Sequence, residues 1–167
     1  MTSHNGEPLL RVLDLQVRIP RDTGVVRPLN GVSFDVHAGQ SVGIVGESGC
    51  GKTMASNALL RILPRRSEIT SGSMSFLTKA GDRVDLATID PVSARMRQIR
   101  GGEISMIFQE PMTAFSPVHT VHNQIAEMIR LHDPSADAAQ QRARVEELLD
   151  LVGIPNPAQR ADDYSFQ

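Results

Sequence analysis

The sequence predicts an α/β chain in two parts, and three observations carry that prediction. First, Leu9–Ile19 and Val32–Val36 alternate apolar and polar residues, the period of half-buried antiparallel strands. Second, Ser41–Val45 is short and apolar, as a buried parallel strand is. A glycine-rich turn and then the helical stretch Met54–Leu63 follow it. Third, from Val121 onward the apolar residues Val121, Ile125, Met128 and Ile129 recur at helical spacing. The expected division is a partial core with an antiparallel β subdomain over residues 1–114 and a partial helical subdomain over 115–167.

The elements follow in order. Pro20–Pro28 carries Asp22, Thr23 and Gly24 and reads as a loop or hairpin tip between the first two strands. Ala38-Gly39-Gln40 turns the chain into the parallel strand at 41–45, and Pro64 stops the helix that begins near Met54. Ser71–Leu77 and Val84–Leu86, separated by Ala80-Gly81-Asp82, read as a strand and its return. Asp90 before Pro91 reads as an N-cap with proline at the first helical position, and Gly101-Gly102 ends that helix. Glu103–Phe108 is a second apolar strand. Beyond the prolines at 111 and 117, Val121–His132 and Ser135–Val152 are helices, and Ala158–Gln167 carries weak signals.

The turn after Val45 is Gly46-Glu47-Ser48-Gly49-Cys50-Gly51-Lys52-Thr53, which meets the phosphate-loop pattern G-x-x-x-x-G-K-[ST] at every required position. The residue types suit a polyphosphate. Gly46, Gly49 and Gly51 let successive N–H groups turn into one concavity, and the following helix, from Met54, aims its unpaired N–H groups at the same point. Lys52 supplies a mobile charge for the β- and γ-phosphates, and the Thr53 hydroxyl is a ligand for Mg²⁺. A bland alternative, a glycine-rich connector, does not require the lysine and the hydroxyl together.

The chain has 167 residues, 40% hydrophobic and 22% charged, with a formal net charge of -2. That balance suits a globular chain and gives no basic surface for nucleic acid. Lysine occurs only at 52 and 79. Cys50 is the single cysteine, so no disulfide forms within the chain; at a variable loop position it reads as a small filler. The first eight residues lack the apolar stretch of a signal peptide, and no run approaches the ~20 apolar residues of a membrane helix. His119 and His122 could share a helical face as metal ligands, but no third ligand accompanies them. Glu146, Glu147 and Asp150, next to Arg142 and Arg144, read as a solvated helix face.

The chain resembles the ATP-binding subunits of ABC transporters, most closely the oligopeptide/dipeptide importer type. The phosphate loop alone gives only the P-loop superfamily. The block Ile104–Pro117 (Ile-Ser-Met-Ile-Phe-Gln-Glu-Pro-Met-Thr-Ala-Phe-Ser-Pro), with Thr120–Glu127 and Leu151–Pro155, narrows it. The likeness runs from about Leu10 to Gln167. It implies a P-loop NTPase core of the ABC ATPase type with an N-terminal antiparallel β subdomain and a partial helical subdomain. ATP and Mg²⁺ are the implied cofactors, held by Gly46, Glu47, Ser48, Gly49, Cys50, Gly51, Lys52, Thr53 and Met54. By the same likeness Gln109 is the Q-loop glutamine, which with Thr53 reaches Mg²⁺ and with Lys52 acts at the γ-phosphate. The implied partners are membrane subunits, docked through Gln109–Thr120, and a second ATP-binding subunit. The implied place is the cytoplasmic face of a membrane.

The sequence departs from that family in three respects. No aromatic residue precedes Phe34, where the family stacks one on adenine, which leaves Ile19 or Val26 for that contact. Phe115-Ser116 stands where leucine-asparagine is usual. The serine-glycine-glycine signature, the aspartate-glutamate strand end and the switch histidine are not in this sequence, so the expectation is the N-terminal part of a longer protein, truncated before the catalytic base. Two rival expectations are an ABC-type ATPase with no transport role and a remnant that binds no nucleotide.

Overall fold

A computed structural model describes residues 6–109 and 115–165. The chain divides into two compact units, Met1–Met106 and Ile107–Gln167. The first is built on an antiparallel sheet. Strands β1 (Leu10–Arg21) and β2 (Gly24–Val36) form a long hairpin, and β3 (Glu68–Leu77) and β4 (Arg83–Asp85) complete the order β2-β1-β3-β4. The hairpin reaches further than the sequence suggests. Val25 and Val26 are in the ladder opposite Pro20 and Ile19, and only Asp22 and Thr23 turn the chain.

The alternation of β1 changes phase at a bulge. Leu10 and Val12 face inward, then Leu15 and Val17 do. The two residues between, Leu13 and Asp14, are exposed, and Asp14 takes φ 46, with its N–H donating to Ser33 Oγ at 2.8 Å. Such a bulge adds a residue and reverses which side chains point inward. Gly72 on β3 lies against it. A Cβ there would stand 2.6 Å from Asp14 O, and its φ of 92 already favours glycine.

Helix α1 (Lys52–Leu59) buries Ala55 and Ala58, and helix α2 (Ala94–Gly102) buries Met96 and Ile99. These four join Leu10, Val12, Leu15, Val17, Leu29, Met74, Phe76 and Leu86 in one core. The small alanines of α1 let it approach the sheet closely. Helix α2 starts at Ser93, whose hydroxyl accepts from the Met96 N–H, and not at Asp90. Asp90 instead accepts from Val92 N–H and Ser93 Oγ and forms a turn with Pro91. Both residues are good caps, and the buried positions of Met96 and Ile99 decide which is used. Regular helix ends at Ile99, since Arg100 and Gly101 leave helical angles.

The two expected parallel strands do not form ladders among the described residues. Residues 41–45 lie outside any strand and are exposed, Val45 at 96%. Of 103–108, only Ile104 makes a bridge, a parallel one to Arg100, and Ile107 is 94% exposed. The physical reason is pairing. An apolar run has the side chains for a buried strand, but its N–H and C=O groups need a neighbour's edge, and among the described residues neither run pairs with the sheet β2-β1-β3-β4.

The second unit is helical. Helix α3 spans Val121–His132, as expected, with Thr120 capping it through Asn123 N–H. Helix α4 (Ala138–Leu151) begins in a full capping box between Asp137 and Gln140, a feature that contributes about 1 kcal/mol. A short helix, α5 (Pro157–Arg160), follows, where the sequence carries only weak signals. Ala126, Val145, Leu149 and Ala161 form the core, flanked by Val121, Ile125 and Ile129. Arg142 ties α4 to the chain after α5. It pairs with Glu146 at 2.6 Å and with both oxygens of Asp162, and it also donates to Ala158 O.

That tie has a pH signature. Arg142, then the more distant charge of His122, holds the Asp162 carboxyl below its ordinary value of 3.8. A carboxylate depressed on folding contributes stability above its unfolded pKa and loses it as pH falls through the folded one. Below about pH 4 the wild type should therefore lose stability faster than Asp162→Asn, by a modest margin because the pair is exposed. Acid titration followed by helical circular dichroism measures this; superimposable curves would contradict it. Among the described residues no helix is long and apolar enough to cross a membrane.

Candidate functional site

The glycine loop keeps the geometry that its residue types dictate. Gly49 and Gly51 adopt φ 83 and φ 98, the left-handed region that glycine enters freely. Cys50 N–H closes a turn on Glu47 O at 3.3 Å. Gly51 is the N-cap of α1 and accepts from Ala55 N–H at 3.0 Å, so the helix starts at Lys52 with its first N–H groups unpaired toward the loop. A side chain at two of these positions would meet neighbours. A Cβ on Gly51 would overlap the Pro28 carbonyl oxygen of β2, and one on Gly46 would lie 2.6 Å from Cys50 Sγ. The loop is thus seated on the hairpin at Pro28, a contact that sequence spacing does not reveal, since the two residues are far apart in the chain.

Lys52 points back into the loop. Its Nζ donates to Gly46 O and Glu47 O, both at 2.7 Å, and approaches Cys50 Sγ at 3.5 Å. The ammonium is therefore encircled by the loop at the helix N-terminus, where an anion gains from the helix dipole and the open N–H groups. Residues 46–50 are exposed, as is Thr53. A phosphate could reach the loop from solvent, and the glycines leave room for its oxygens. The residues present fit a nucleotide phosphate and its Mg²⁺: a lysine, a hydroxyl one residue on, and a turn in which three glycines leave backbone N–H groups accessible.

Gln109 is exposed and belongs to the second unit, whereas residues 46–54 belong to the first. Glu110–Ala114, in the middle of the expected docking segment, lie outside the described residues. Beyond them, Gln124 fixes the end of that segment: its Oε1 accepts from Ser116 N–H at 2.7 Å and its Nε2 donates to Ser116 O and His119 O. Phe115 and Val118 are exposed, the latter at 73%. Ile19 and Val26, the residues left for an adenine contact, are cross-strand partners at the far end of the hairpin. Among the described residues no group of three His, Cys, Asp or Glu side chains is placed to hold a metal ion, so His119 and His122 are not part of a cluster.

Residues 29–166 match the family described as ABC transporter. The chain is 40% identical over 159 residues to a probable peptide ABC transporter ATP-binding protein of Sinorhizobium fredii, covering 95% of this chain and 45% of that protein. It is 41% identical over 162 residues to the dipeptide transport ATP-binding protein of Bacillus subtilis, covering 96% and 46%. The chain spans about half the length of the curated relatives it matches. Among solved structures, a dimeric ATP-binding cassette in a post-hydrolysis state bound to ADP and Pi matches with a TM-score of 0.76 at 18% identity. That match covers 95% of this chain and 62% of the other.

Proposed function

The chain belongs to the ABC transporter family, and from that premise we propose that it is the ATP-binding subunit of a peptide importer, holding Mg-ATP on residues 46–54. The observation that carries the reading is the pair of loop carbonyls, Gly46 O and Glu47 O, that accept from the Lys52 ammonium at the start of α1. A cation already held there is placed to exchange two neutral acceptors for phosphate oxygens, which accept more strongly. The N–H groups of Gly49 to Met54 orient the β- and γ-phosphates, and the Thr53 hydroxyl offers one metal ligand. Bound Mg²⁺ would supply charge neutralisation across the phosphate oxygens. Gln109 is the residue proposed to sense the γ-phosphate. Ile19 and Val26 offer the adenine an apolar but non-aromatic surface, with less selectivity than a ring would give. Equilibrium dialysis of the purified chain against Mg-ATP tests the reading. Retention of nucleotide is expected; none at millimolar ATP would overturn it.

The relatives' names motivate the substrate class, peptides, and the transport role. The same reading gives the chain two partners. A second ATP-binding subunit faces the loop, as the dimeric cassette motivates. Membrane subunits meet Gln109–Thr120 and hold the chain at the cytoplasmic face. The exposed Phe115 and Val118, on either side of Pro117, motivate that contact. A cysteine at Val118, in a Cys50→Ser background, should cross-link to a membrane subunit in the assembled transporter. An intact assembly without that product would exclude this docking surface.

A further inference from the structure

Helix α1 ends on a residue that is costly to place there. Arg61 adopts φ 55, and its N–H donates to Ala58 O while Ile62 N–H donates to Asn57 O. This is a left-handed helix stop, a position where glycine is the usual residue and any L side chain costs about 1–2 kcal/mol. The Arg61 side chain is half-buried. Its Nε donates to Ile89 O at 3.2 Å, and its two Nη groups form no hydrogen bond among the described residues. Beside it is a cavity of about 370 Å³ lined by Arg61, Ser67, Glu68, Ile69, Ala87 and Pro91. The Ser67 hydroxyl is also buried there without a partner among the described residues.

The charges around this cavity favour an anion. The negative end of α1 is covered by Arg100, whose guanidinium donates to Leu60 O at 2.6 Å, Arg61 O at 3.1 Å and Pro91 O at 2.8 Å. Glu68, the one carboxylate in the lining, is held by Arg18 at 2.7 Å. Asp85 and Asp90 act on Arg61 more weakly than burial and Arg100 do, so its pKa lies below the ordinary value. Asp85 and Asp90 accept from backbone N–H groups instead, so the partly desolvated guanidinium keeps free donors, with a second guanidinium nearby and a hydroxyl that has no partner among the described residues.

We propose that the cavity at the end of α1 binds a small oxyanion of the phosphate class, held by the Arg61 Nη groups and the Ser67 hydroxyl. It is separate from the glycine loop, which sits at the other end of the same helix. The chemistry fits both free phosphate and a phosphate-bearing lipid headgroup.

The test uses the whole chain carrying Lys52→Ala, so that phosphate at the glycine loop does not contribute. Inorganic phosphate should then shift the amide resonances of Ser67 and Ile69 in a saturable manner. Arg61→Gly should weaken that binding by about tenfold or more, because it removes charge-assisted bonds. Glycine accepts φ 55 without strain, so this variant keeps the backbone and the result reports on the side chain. Ser67→Ala should weaken binding by about tenfold, the loss expected for one hydrogen bond to a charged acceptor. Vesicles of phosphatidylcholine with phosphatidic acid separate the two sources. Arg61-dependent sedimentation identifies a headgroup, and phosphate binding without it identifies a free oxyanion. Absence of saturable shifts at Ser67 and Ile69, or shifts that persist unchanged in Arg61→Gly, would overturn the proposal.

Discussion

Lys52→Ala should remove nearly all of the stabilisation that Mg-ATP gives this chain while leaving the nucleotide-free protein almost as stable as before. The two halves of that result have separate causes. In the free protein Lys52 Nζ donates to Gly46 O and Glu47 O and approaches Cys50 Sγ, all in an exposed loop, and water replaces it there. The change in folding stability should stay within about 0.5 kcal/mol, as for surface substitutions generally. With nucleotide, the ammonium is the one mobile positive charge in the loop. A ligand at about 100 times its dissociation constant stabilises the folded state by about 2.7 kcal/mol. In a thermal-shift assay this amounts to several degrees, roughly 5–10 °C for a chain of this size. The variant should show little of that shift at the same ATP concentration. Cys50→Ser is the matched control, since the thiol is exposed and meets Lys52 only at 3.5 Å. It should keep the wild-type shift. Equal shifts in Lys52→Ala and wild type would show that ATP is held elsewhere.

The sequence made local features legible and missed those that depend on distant residues. Helix α3 begins and ends at Val121 and His132, where its apolar spacing places it. The glycine loop is legible because turn, lysine and hydroxyl are contiguous. The phase change in β1 was not, because Leu13 looks like any apolar strand residue until Asp14 bulges against Gly72. Nor was the start of α2, where Asp90 and Ser93 are chemically equivalent caps and burial of Met96 decides between them. The segments 41–45 and 103–108 show the limit most clearly. Composition tells which residues tolerate burial, but a strand also needs a neighbour's hydrogen-bonding edge, and no single segment encodes that. At the site, the glycine turn with its lysine and hydroxyl was legible and the seat of the loop on Pro28 was not.

That seat gives the second large expected effect. Gly51→Ala should cost about 3 kcal/mol of stability in the first unit and reduce ATP binding at the same time. Two terms add. At φ 98 an alanine pays about 1–2 kcal/mol for the left-handed conformation. Its Cβ would also overlap Pro28 O, which is backbone of β2, so the neighbour cannot rotate away as a side chain would. Relieving such an overlap typically costs about 1–3 kcal/mol. The displaced loop would carry the N-cap of α1 with it, and with the cap the aim of the helix N–H groups on which phosphate depends. Gly43→Ala provides the contrast. A Cβ at Gly43 meets nothing within 4 Å, and the residue lies in the exposed 41–45 segment. It should change stability by no more than about 0.5 kcal/mol. Urea unfolding of both variants, with ATP binding measured on the same samples, separates the two positions. A silent Gly51→Ala would mean that the loop does not rest on Pro28. A costly Gly43→Ala would mean that residues 41–45 are packed in solution, as a buried strand requires, and not exposed.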